Sequence, residues 1–130
     1  MDSGENVYYI ASICNTQNHH EHIMFWGKGR CGYYIVISDH MGQYDEAQAA
    51  TLNDGVLYIA VPVSAVIAIQ SPEPYYKPGA RFYDARGPVV ENTRKNWNAL
   101  IKASMKDGRQ REPKPNVFRG KRRAVFTEND

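Results

Sequence analysis

Little in this chain declares a chemistry. Its 130 residues contain two cysteines, Cys14 and Cys31, too few for a disulfide framework and without a CxxC pair to anchor zinc. The start, MDSGENVYY, lacks the basic and apolar stretches of a secretory leader, which points to a reducing cytoplasm and free thiols. The longest apolar run, Val56 to Ile69, is interrupted by Pro62 and Ser64 and is too short to span a bilayer, so no membrane partner is expected. GKGRCG has the glycines of a phosphate loop but not the GxxxxGK[ST] spacing or the helix that must follow. No two carboxylates are spaced for acid–base work. No cofactor is expected and no catalytic residue is assigned.

What is present is rings and a charge asymmetry. Nine tyrosines suit half-buried strands and interfaces, because each carries an apolar body with a polar tip. The net charge of +2 divides unevenly: residues 106–130 carry eight cations against four acids, net +4, which leaves −2 for residues 1–105. The reading is a single α+β domain over 1–105, followed by a basic, flexible C-terminal tail over 106–130.

The domain is organised around Val7 to Ser38, read as three antiparallel strands: VYYIASIC, HIMFWG and YYIVIS. Val7, Tyr9, Ala11 and Ile13 share one face of the first, and Tyr8, Ile10, Ser12 and Cys14 the other. Gly27, Gly29 and Gly32 serve the second reversal. After a turn over Asp39–Tyr44, Asp45 caps a short helix, Glu46 to Leu52, which Asn53-Asp54-Gly55 ends. Val56 to Val61 is a fourth, central strand stopped by Pro62. Ser64 then opens a helical turn or two through Gln70, although AVIAI also fits a strand. Asn92 caps the one long helix, Thr93 to Met105, with Trp97, Leu100, Ile101 and Ser104 at i, i+3, i+4 and i+7. Burying the first three on the sheet contributes on the order of 5–8 kcal/mol before entropy. The whole is an antiparallel sheet of about four strands, one major C-terminal helix and one or two short helices. One helix does not cover two apolar sheet faces, so either the Tyr75–Arg86 loop or a second copy of the chain is expected on the other.

Two clusters invite a chemical reading. His19, His20 and His22 fill the first reversal; strands running up, down and up would gather them with Cys14 and His40 at one end. At most a loose metal site can be drawn there, and a polar turn titrating near neutrality is the better description. Cys14 as a nucleophile has only the nearby histidines in its favour. The stronger candidate is YYKPGARFYDAR, where rings alternate with cations on a proline-stiffened loop. Tyr75, Tyr76, Lys77, Arg81, Tyr83 and Arg86, with Arg94 and Lys95 beside them, form the expected partner-binding set. In the tail, Arg119, Lys121, Arg122 and Arg123 offer a salt-sensitive nucleic-acid contact.

The order Tyr8-Tyr9-Ile10, Phe25-Trp26-Gly27, Gly32-Tyr33, Gly42-Gln43-Tyr44 and Ala60-Val61-Pro62-Val63 resembles a group of small uncharacterised proteins of bacterial phages and prophages. The histidine turn and the basic tail depart from that pattern. The resemblance carries over no functional residue. It implies a cytoplasmic setting in a bacterial host cell and a role such as inhibition of host machinery, anti-CRISPR proteins included. The expected function is therefore a non-enzymatic inhibitor that binds a bacterial protein or ribonucleoprotein complex. The alternative is a nucleic-acid or nucleotide-binding module using the aromatic and basic loop with the tail.

Overall fold

A computed structural model describes residues 7–30, 32–38, 40–76, 78, 86–106, 108 and 110–118. It is an α+β fold built on β1 (Val7–Ser12), which pairs antiparallel with three neighbours. β2 (Phe25–Trp26) lies on one side and leads to β3 (Tyr33–Tyr34). The short β4 (Tyr44–Asp45) pairs with the start of β1 on that same edge, beyond the end of β2, and on the opposite edge β5 (Tyr58–Pro62) runs the length of β1, from Tyr8 opposite Pro62 to Ser12 opposite Tyr58. The sheet thus has five strands. Tyr44, placed in a turn by the sequence, instead pairs with Tyr8 and donates its hydroxyl to the Gly27 carbonyl at 2.6 Å.

The two apolar faces of β1 feed separate clusters. Tyr9, Ala11 and Ile13 join Ile23, Phe25, Ile59, Val61 and Val66, roofed by Trp97 and Leu100 of α3 (Arg94–Ala103). Ile10 packs on the other face with Tyr44, Ala49 and Ala60. That second face is covered by α1 (Glu46–Leu52), whose Ala49 and Leu52 lie against it; of the Tyr75–Arg86 loop expected there, residues 77 and 79–85 lie outside the described residues. Asp45 does cap α1, in a reciprocal box: its carboxylate accepts from the Gln48 amide at 2.8 Å while the Gln48 side chain accepts from the Asp45 amide at 3.1 Å.

The second and third strands are shorter than the β-rich text suggests. His22 and Ile23 pair with Glu91 and Val90 rather than with β1, and Ile37 donates to the Pro88 carbonyl, so the segment leading to α3 takes over their edges. The intervening GKGR is a tight turn in which Gly29 adopts positive φ, as does Gly32 just before β3. AVIAI resolves to helix, α2 (Val63–Ala68), with Pro62 rather than Ser64 at its N-cap. Likewise Thr93, not Asn92, caps α3, accepting from the Asn96 amide at 3.1 Å. Asn92 has other work: it donates to the carbonyls of Gln17 and His20, both at 2.9 Å, and accepts from the Trp97 indole N–H at 2.7 Å. It ties the histidine turn to the main helix.

The boundary expected at residue 105 does not mark the end of packing. Lys106, counted as the first cation of a flexible tail, closes the C-terminus of α3 by donating to the carbonyls of Ile101 and Ser104. Residues 110–118 then run back along the body, with Pro113 and Pro115 buried and Val117 and Phe118 against the α3 cluster. No helix among the described residues is long and apolar enough to cross a membrane.

Candidate functional site

Tyr75 and Tyr76 form β6, a two-residue strand paired with β7 (Arg86–Gly87). Alternation along a strand sends their side chains to opposite faces. Tyr75 turns inward and meets His22 edge-on, ring centroids 4.9 Å apart. Tyr76 turns outward and is 59% exposed, with the Arg86 guanidinium 5.1 Å above its ring centroid. Pro74 completes a shallow hollow of about 280 Å³ lined by these three residues. The hairpin is anchored from behind: Ser71 donates to the Val89 carbonyl at 2.7 Å, and a Cβ on Gly87 would strike Val36 at 2.6 Å. An exposed ring beside a cation therefore stands on a fixed base.

Of the residues the sequence nominates, the structure brings Tyr75, Tyr76 and Arg86 together. Arg94 is drawn elsewhere: its guanidinium lies 4.5 Å over the Phe118 ring and donates to the Phe118 carbonyl at 3.0 Å, clamping the C-terminal arm. Lys95 is exposed on the first turn of α3. Lys77, Arg81, Tyr83, Arg119, Lys121, Arg122 and Arg123 lie outside the described residues. The sequence did not pair His22 with Tyr75. Nothing local announces that contact, which follows from His22 bridging to Glu91 on the segment that continues from β7.

The histidine turn is organised by its own hydrogen bonds. The Gln17 amide donates to His20 Nδ1 at 3.0 Å, and the His19 and His20 rings tilt against each other at 4.3 Å. Partial burial, and secondarily the charge of His19, hold the His20 imidazole below its ordinary range. His40 does not join this turn. After β3 the chain doubles back, its carbonyl accepts from the Lys28 amide, and His40 sits beside Tyr34 at the far end of β1 from Cys14. Among the described residues no group of three or more His, Cys, Asp or Glu is placed to hold a metal. Cys14 is half-buried and reduced, with Asn15 Nδ2 donating to its Sγ at 3.4 Å.

A third aromatic group lies on the α1 side of the sheet. Trp26 meets Tyr33 and Tyr58 edge-on at 5.7 and 4.9 Å, and the two tyrosine hydroxyls are 3.3 Å apart. Burial first, and then the hydrogen bond with Tyr33, push the Tyr58 phenol well above its ordinary range. Packed edge-on and joined by hydrogen bonds, these rings brace the sheet. Comparison with family models, with curated proteins and with solved structures finds no match to this chain.

Proposed function

We propose that this is a non-enzymatic binding protein that docks a bacterial protein or ribonucleoprotein complex through the β6–β7 hairpin, and that docking inhibits that complex. One observation carries the reading: Tyr76 is largely exposed, yet its ring is already paired with Arg86 and its strand is buttressed by Tyr75 on His22. Tyr and Arg dominate the energetics of protein interfaces, and side chains ordered before contact lose less entropy on binding. The resemblance to small phage and prophage proteins supports a host defence or regulatory complex as the partner.

The test is affinity capture from a bacterial host lysate, with and without nuclease, comparing the full chain with its Tyr76→Ala/Arg86→Ala double variant. The expected result is a stoichiometric partner retained after nuclease and lost by the variant, whose thermal midpoint stays close to that of the parent because both side chains are on the surface. Retention of the partner by the variant overturns the assignment to the hairpin. A stacked base would use the same ring and cation, which makes nucleic acid the second reading. Oligonucleotide binding that falls steeply with salt, together with loss of capture after nuclease, would replace the first reading by the second.

A further inference from the structure

Away from the hairpin, a cleft of about 580 Å³ opens between the end of β1, the turn before β5 and the C-terminal arm. That is the size of an ordinary small-molecule site. Ile13 and Val56 supply apolar lining, Arg111, Glu112 and Lys114 supply charge, and Cys14 also faces it. The cleft is built rather than accidental. The Arg111 amide donates to the Asp54 carbonyl at 2.9 Å, and the Asn116 side chain donates to the Thr16 carbonyl at 3.0 Å, so the arm is pinned on both sides of the opening. At Gly55, where φ is +79°, a Cβ would collide with the Arg111 carbonyl; the arm approaches as closely as it does because that residue is glycine. Between the pins Pro113 and Pro115 are buried while Arg111, Glu112 and Lys114 are exposed. The backbone is held and the charged side chains are left facing solvent and the cleft.

Among the described residues, two cations against one carboxylate give the lining a single net positive charge beside an apolar wall. We propose that this cleft binds a small organic monoanion, an apolar chain or ring bearing one carboxylate, with Arg111 and Lys114 on the carboxylate and Ile13 and Val56 against the apolar part. The residues that line this cleft and those that line the hairpin hollow do not overlap, so a ligand held by Arg111 and Lys114 is separate from the Tyr76–Arg86 surface.

The probes are octanoate and 3-phenylpropanoate, each beside its neutral amide, titrated calorimetrically into the full chain. The expected result is saturable one-to-one binding of at least one carboxylate, roughly tenfold or more tighter than its amide, as the loss of a charge-assisted contact requires. Arg111→Gln/Lys114→Gln should bring that carboxylate down to its amide's affinity. The fold survives this change, because the arm is pinned there by the backbone of Arg111. Val56→Asp, at a position 49% exposed, should weaken the same ligand by placing an acid on the apolar wall. Bound carboxylate should also slow alkylation of Cys14 by iodoacetamide, read by mass spectrometry of its peptide. No saturable binding of either carboxylate, equal binding of the amides, or affinity unchanged in both variants would overturn the proposal.

Discussion

Asn53 is 1% exposed, and its short side chain joins four parts of the molecule. Its Oδ1 accepts from the Ala60 amide at 3.0 Å and from Gln110 Nε2 at 2.9 Å, while its Nδ2 donates to the Met105 carbonyl at 2.8 Å. Met105 in turn donates its amide to the Ala60 carbonyl at 2.9 Å. Both backbone groups of Ala60 on the outer edge of β5 are thereby closed, which removes the hazard of an open sheet edge at that point. Asn53→Ala strands the buried Ala60 amide, removes the donor to the Met105 carbonyl and leaves Gln110 Nε2 only its bond to Ser104 Oγ, and should cost about 2–4 kcal/mol, read as a lower urea midpoint at unchanged slope. Asn53→Asp keeps the acceptor, loses the donor and buries a charge, so it should be no milder. A loss under about 1 kcal/mol in the alanine variant would mean that water replaces the amide and that the hub is not structural. The Asn-Asp-Gly text was legible as a helix stop because that signal is local. The hub was not, because Met105 and Gln110 are distant in the chain.

At the scale of elements, legibility followed periodicity. The Asp45 cap and the limits of α1 were readable from an acidic start and an alanine-rich body, and the Trp97–Leu100 stripe from helical spacing. Cap identity at α3 was not: Asn92 and Thr93 are both good caps, and only the carbonyls of the histidine turn decide that Asn92 is needed elsewhere. The C-terminal arm was missed for a different reason. An extended docked segment has no period, and DGRQREPKPN has the composition of a linker, yet two of its features are structural: Pro113 and Pro115 are buried, and Asn116 bonds the first reversal. Ending the chain at Arg109 removes the packing of Val117 and Phe118 on the α3 cluster and frees Arg94 from its ring. Such a truncation should lose about 2–4 kcal/mol by chemical denaturation. A truncated chain as stable as the parent would return the domain boundary to residue 105.

For the molecule as a whole, the question is how one strand with two apolar faces avoids exposing one of them. The alternation of β1 was legible in full: Tyr9, Ala11 and Ile13 on one side and Ile10 on the other do enter different clusters. What covers the second cluster was not legible, because α1 is only seven residues long and its apolar content is mostly alanine. A short helix suffices there because Tyr44, Trp26 and Tyr58 contribute rings from the sheet itself. The large apolar side chains left exposed among the described residues are then few, Val56, Leu57, Ile67 and Tyr76, and only Val56 and Leu57 are adjacent in the chain. That is less than the contiguous patch a stable homodimer buries. Light scattering on the purified chain should accordingly give the single-chain mass, 14.8 kDa, independent of concentration. A concentration-dependent dimer abolished by Val56→Asp/Leu57→Asp would show that the rim of the cleft is a self-association surface instead.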